Sequence, residues 1–199
     1  FDRELDGLAV RDDWTVLLLR SDQKVFCAGA DLKEVHEYMQ MADGPNRMYA
    51  YVANIQRLYS RIERIDRVTL AEIGGAAMGG GLELALSCDL RVAATEAKIG
   101  LPEARLGLIP AAGGTQRLTR LCGPSTASRL ILGAEVLDGA TARQFGVVQW
   151  AFPRAELAER ALEIARRIAE LPVAALVGCK ACMAALREGG RGGYSDELE

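Results

Sequence analysis

Short continuous apolar runs alternate along this chain with longer stretches in which apolar positions recur every three or four residues. Trp14 to Arg20 and Val68 to Ile73 are runs of the first kind, the pattern of strands covered on both faces. Leu90 to Ala94, Ala97 to Leu101 and Val147 to Phe152 read the same way, and Val25 to Leu32 predicts a further strand ending in small residues. Met48, Val52, Ile55, Tyr59 and Ile62 are spaced four, three, four and three apart, which predicts a helix from Pro45 to near Asp66. Further helices are predicted at Ser125 to Leu132, at Thr141 to Phe145, and from near Pro153, with Leu157, Ala161, Ile164, Ile168 and Leu171 on one stripe. Pro172 stops that helix, and Val173 to Arg187 makes one more. Residues 1 to 13 read as the end of a helix begun outside the sequence, and residues 33 to 43 as a polar helix or lid. Strands alternating with helices predict an α/β domain with much parallel pairing.

Clusters of small residues punctuate this pattern at strand ends. Residues 74 to 83, Gly-Gly-Ala-Ala-Met-Gly-Gly-Gly-Leu-Glu, place five glycines in eight positions between the strand at Val68 to Ile73 and a helix at Leu82 to Leu90. Glycine lets backbone N–H groups approach a ligand closely, and a helix start offers unpartnered donors at the positive end of its dipole. Negative charge, or charge becoming negative, belongs there. A phosphate cradle needs Lys-Ser/Thr after the glycines and a dinucleotide site needs Gly-x-Gly-x-x-Gly; neither fits. An oxyanion hole needs only the close approach and the helix start, and Glu83 then stands beside the reacting carbon. Such a hole takes two donors, and the small-residue loop within Val25 to Leu32 could supply the second. Pro102-Glu103-Ala104-Arg105 adds a second carboxylate at a turn or helix start. Ala111 to Leu118 opens another helix, suited to an anion or, better, to helix packing or subunit contact.

Composition narrows the class. At 199 residues, half of them apolar, the chain can bury a core in one domain with room for a small helical appendage. A net charge of −3 and a pI near 5.4 give no broad footprint for nucleic acid or an anionic membrane. Five cysteines spread through an apolar chain do not make a disulfide framework. They fit a reducing compartment, the cytoplasm or, in a eukaryote, the mitochondrial matrix. No apolar stretch has the length of a membrane span, and Phe1-Asp2-Arg3-Glu4 is no signal peptide. His36, the single histidine, rules out a His-rich metal site and reads as a solvated lid residue. Cys179-Lys180-Ala181-Cys182 lacks the second pair for zinc and the context for thioredoxin chemistry, and reads as a helix face with two small buried thiols. Arg191-Gly192-Gly193 is a single copy of an RNA-binding type of element.

The order of several linked motifs is more specific than any one of them. Phe26-Cys27-Ala28-Gly29-Ala30-Asp31-Leu32, Met78-Gly79-Gly80-Gly81-Leu82-Glu83-Leu84-Ala85, Cys88-Asp89, Leu101-Pro102-Glu103, Ile109-Pro110 and Gly113-Gly114-Thr115-Gln116-Arg117-Leu118 follow one another along the chain. This arrangement resembles the enoyl-CoA hydratase/isomerase (crotonase) superfamily, from about residue 14 to about residue 185. The resemblance implies an α/β, ClpP/crotonase-type fold of repeated ββα turns over residues 1–152. A C-terminal helical region over residues 153–199 would follow, shorter than the family's. It implies an acyl-CoA thioester as substrate, with CoA part of that substrate and no separate cofactor or metal. Trimers or pairs of trimers, and no membrane or nucleic-acid partner, are expected. It assigns the backbone N–H groups of Ala30 and Gly80 to the oxyanion hole, Glu83 and Glu103 to catalysis, and Cys27, Ala28, Asp31, Leu32 and Gly79 to the substrate's surroundings.

The chemistry suits these residues. Hydrating a 2-enoyl thioester builds negative charge on the thioester oxygen, and losing one donor there typically costs on the order of 3 to 4 kcal/mol. Water must lose a proton as it attacks Cβ while Cα gains one, work for two carboxyl groups in different protonation states. A family isomerase generally needs only the carboxylate at Glu103, so Glu83 favours a hydratase; a non-catalytic CoA- or RNA-binding member is the alternative of another class. Departures from the family pattern are expected to tune the loop. The N-terminal strand pair and the last helices are not in the sequence, Val68 stands where proline is common, and Gly74 where Asn or Asp is. Glu72 places a carboxylate in a buried strand, costly unless paired.

Overall fold

The structure, a computed structural model, describes residues 1–185, so Arg191 to Gly193 lie outside the described residues. In chain order the strands are β1 (Val16–Leu19), β2 (Val68–Ile73), β3 (Ala77–Met78), β4 (Leu90–Ala94), β5 (Lys98–Gly100), β6 (Val136–Asp138) and β7 (Trp150–Phe152). The helices are α1 (Asp2–Ala9), α2 (Leu32–Gln40), α3 (Gly44–Glu63), α4 (Gly80–Leu86), α5 (Gly114–Ile131), α6 (Gly139–Gln144), α7 (Arg154–Ala169) and α8 (Val173–Ala185). A 3-10 turn spans Pro102–Leu106.

The apolar runs form the main sheet, all parallel, in the order β1-β2-β4-β7. Every residue of β2 is buried, as a central strand covered on both faces requires. α7 packs across all four strands through the predicted stripe, with Leu157, Ala161 and Ile164 buried. A second sheet, β3-β5-β6, lies beside the first. β2 leads through the glycine turn into β3 and α4, and β5 leads into the Pro102 turn. Both carboxylates of interest therefore leave this second sheet close together.

Asp89 ties the start of the main sheet. Its Oδ2 accepts from the Thr69 N–H at 2.8 Å and the Thr69 hydroxyl at 2.9 Å, while the Asp89 N–H donates to Thr69 Oγ1 at 2.8 Å. Lys180 of α8 donates to the same carboxylate oxygen at 2.6 Å and to the Arg67 carbonyl at 3.0 Å. Asp89 thus serves the register of β2 on β4 and the docking of α8.

Several expectations change. Val25 to Leu32 is not a strand: only Cys27 bridges, to Ala77, before Asp31 caps α2. β6 forms antiparallel to β5 between the helices predicted at Ser125 to Leu132 and at Thr141 to Phe145. It is only Val136-Leu137-Asp138, and its aspartate is also the cap of α6, donated to by the Thr141 N–H at 2.7 Å. The helix at Ser125 is the second half of α5, bent at Gly123, whose φ of 76° and ψ of 165° are not helical. Residues 1 to 13 do hold a helix, α1. α8 has no buried residue, with Cys179 exposed and Cys182 half-buried, so the two thiols are not core groups. His36 is exposed on α2, as expected.

Candidate active site

Two loops meet backbone to backbone. A Cβ on Gly81 would fall 1.9 Å from the Cys27 carbonyl oxygen, so no side chain fits between the glycine run and the Cys27 loop. Gly29, at φ +92°, has the same role from the other side: a Cβ there would lie 2.8 Å from the Met78 carbonyl oxygen and 3.1 Å from the Gly80 nitrogen. The Met78 N–H donates to the Cys27 carbonyl at 3.1 Å and closes the pairing.

This contact brings Ala30 and Gly80 together. The Gly79 carbonyl accepts from the N–H groups of Leu82 at 2.9 Å and Glu83 at 3.0 Å, and so points into α4. A trans peptide sets its N–H opposite to its C=O, which turns the Gly80 N–H out of the helix toward the Gly29–Ala30 loop. Neither the Ala30 nor the Gly80 amide has a hydrogen-bond partner among the described residues. Two free donors, one of them at the start of α4, form a site for an oxygen gaining negative charge.

Glu83 stands in the first turn of α4, 3% exposed. Its Oε1 accepts from the Gly114 N–H at 2.7 Å, so the helix start read as an anion or packing site is taken up by this carboxyl group. Burial pushes the Glu83 pKa up to about 7; the amides of Gly114 and Ala112 and the charge of Arg117 pull it back, while Glu103 pushes it further up. Glu103 lies across the glycine run, where a Cβ on Gly79 would be 2.9 Å from its Oε1. Burial raises its pKa as well, and its Oε2 is buried without a partner among the described residues. The two carboxyls thus share one region in unlike settings, one anchored to amides and one with an oxygen free to act.

A shell behind the site holds these pieces. Buried Arg117 of α5 donates to the Ala112 carbonyl at 2.8 Å and to Glu63 Oε2 of α3 at 2.9 and 3.1 Å. Gln56 of α3 donates to the Ala111 carbonyl at 2.5 Å. These bonds fix the loop that presents the Gly114 amide. Tyr59 of α3, read from the sequence only as an apolar position, donates its hydroxyl to the Gly80 carbonyl at 2.8 Å. A tyrosine in an otherwise aliphatic stripe is the signal, since a buried phenol needs a partner.

The structure brings Ala30, Gly79, Gly80, Glu83 and Glu103 together. Cys27 is half-buried behind them, and its backbone bridges the two loops. Ala28 is exposed on the loop leading to Ala30. The Asp31 carboxylate is engaged as the cap of α2, accepting from the Lys33 N–H at 2.8 Å, and Leu32 is exposed to solvent. Among the described residues no three His, Cys, Asp or Glu side chains gather as a metal site.

The chain is similar to known proteins in sequence and fold. Residues 8–191 match the family model for enoyl-CoA hydratase/isomerase. The chain is 44% identical over 146 residues to the probable mitochondrial enoyl-CoA hydratase 2 of Arabidopsis thaliana, covering 73% of this chain and 47% of that protein. It is 44% identical over 147 residues to the mitochondrial methylglutaconyl-CoA hydratase of Homo sapiens, covering 73% and 42%. The chain thus spans about half the length of these curated relatives. The crystal structure of an enoyl-CoA hydratase from Bacillus anthracis superposes with a TM-score of 0.91 at 34% identity, covering 99% of this chain and 75% of that one. A fold shared along nearly all of the described chain, and a family match that takes in both loops and both carboxylates, make this chain a member of the enoyl-CoA hydratase/isomerase (crotonase) family.

Proposed function

We propose that the protein hydrates 2-enoyl-CoA thioesters to 3-hydroxyacyl-CoA thioesters. The observation that carries this reading is the meeting of two unpartnered amides, Ala30 and Gly80, with two carboxyls, the buried Glu83 and the half-buried Glu103, whose Oε2 is itself buried. The thioester oxygen would lie between the amides, drawing electrons from the double bond so that Cβ becomes electrophilic and the oxygen takes up charge. A water held between the carboxyls would break one O–H bond as its oxygen bonds to Cβ, its proton passing to an ionised carboxylate. Cα takes a proton from a protonated carboxyl as the enolate collapses. Protons balance, and no redox partner or metal enters the step. A carboxyl with its pKa near 7 can serve at neutral pH in either state.

The same reading includes assembly as trimers or pairs of trimers in a reducing compartment, the cytoplasm or a mitochondrial matrix. All five cysteines are free, and both curated relatives carry "mitochondrial" in their names.

The test follows loss of enoyl-thioester ultraviolet absorbance with short 2-enoyl-CoA substrates. Glu83→Gln and Glu103→Gln should each lower kcat by roughly 100-fold or more. Loss confined to Glu103→Gln, with double-bond migration in a 3-enoyl substrate, would replace hydration by isomerisation. Folded wild type that binds CoA or RNA without turnover would make the fold a binding module.

A further inference from the structure

Gly79, Gly80 and Gly81 are three consecutive glycines, each conformationally free, and α4, which begins at Gly80, has only seven residues. An oxyanion hole works by having its donors in place before charge develops, so something must hold this run. Backbone bonds hold its first half, with the Gly79 N–H donating to the Gly100 carbonyl at 3.0 Å. At Gly80 the added restraint comes from another element, the Tyr59 hydroxyl at 2.8 Å on the Gly80 carbonyl. We propose that Tyr59 is a positioning residue for the oxyanion hole, its hydroxyl fixing the Gly80 donor relative to the Ala30 donor.

Three observations support this. A Cβ on Gly80 would lie 3.7 Å from the Tyr59 oxygen, 3.6 Å from the Gly29 Cα and 3.9 Å from the Ala30 nitrogen, so the phenol and the second loop enclose the same atom. Tyr59 is 8% exposed and packs in the core, on a helix whose Ile62 is 1% exposed, so the hydroxyl is delivered by a rigid element. Burial, helped by Cys27 and Glu83, drives the phenol pKa up from its ordinary value, so it remains a donor through the working pH range. α3 thereby reaches both halves of the site, the hole through Tyr59 and the Glu83 anchor through Glu63 and Arg117.

The inference rests on the proposed thioester chemistry, and the experiment separates the two. Tyr59→Phe keeps the ring and removes the hydroxyl. Its kcat on a short 2-enoyl-CoA should fall about tenfold with KM changed less than about twofold, less than the loss of a direct oxyanion donor. Butyryl-CoA carrying ¹³C at the thioester carbonyl binds without being hydrated, and its infrared band should shift to lower frequency in wild type and less in Tyr59→Phe. Wild-type kcat and a full shift in folded Tyr59→Phe overturn the proposal and leave the hydratase reading standing. No shift and no turnover in wild type overturn both. Should Tyr59→Phe melt far below wild type, both readouts are taken well below its own melting temperature, where wild-type kcat with a full carbonyl shift still overturns the proposal.

Discussion

Glu83 is held by opposing forces. Burial favours its neutral form, while two amides and Arg117 favour the carboxylate, and the balance sets a pKa near 7. An unfolded glutamate titrates near 4.3, so the folded state binds the proton more tightly. The stability from Glu83 is therefore fully present below about pH 4 and is lost as pH rises through about 7, after which it is level. Glu83→Gln keeps an oxygen to accept from Gly114 and removes the titration. Its stability relative to wild type should rise between pH 4.5 and 7.5 by up to about 3 kcal/mol, measured as paired urea unfolding curves. A difference that does not change with pH would mean that Glu83 is ionised throughout. The sequence placed this carboxylate at a helix start, but its pKa depends on Gly114, thirty-one residues away, which no local pattern reveals. The same holds for Tyr59, whose spacing marked it only as part of an apolar stripe.

At the scale of elements, the strands with continuous apolar runs and the helices with regular stripes were legible because burial on a sheet or stripe imposes its own period. What escaped was short or shared. Asp138 both ends β6 and caps α6, so its polar character masked the strand. Cys27 to Ala30 is shaped by contact with a distant glycine run and has no period of its own. Glu72 was the oddity in β2, and the structure keeps it so. It lies in register with Val92 in the sheet covered by α7, and Arg20 approaches its Oε1 only to 3.7 Å. Its Oε2 is buried without a partner among the described residues, and burial raises its pKa against the pull of Arg20. Replacing such a group by an apolar residue of similar volume removes the desolvation penalty. Glu72→Met should therefore raise the stability of the β2 and α7 layer by about 1 kcal/mol or more at pH 8. The gain should shrink in acid, where the wild-type side chain is neutral. Destabilisation at pH 8 would show that Glu72 is better compensated than its single distant guanidinium implies.

Whole-molecule organisation turns on α8. Val173 to Ala185 is apolar almost all round, with Lys180 its one charge, and such helices are normally covered. Here Lys180 docks the helix on Asp89 and the Arg67 carbonyl, yet no residue of α8 is buried and Met183 is 71% exposed. Leu106 and Ile109, which follow Glu103, are 56% and 72% exposed. Under the proposed assembly, these apolar side chains, some of them beside a candidate catalytic carboxylate, would be covered by copies of the chain. Sedimentation velocity should accordingly find species of three or six times the 21.4 kDa of one chain. Dilution should lower specific activity together with the loss of those species, because the segment carrying Leu106 also carries Glu103. A monomer at micromolar concentration with full activity would separate the site from assembly and remove the trimer from the proposed function.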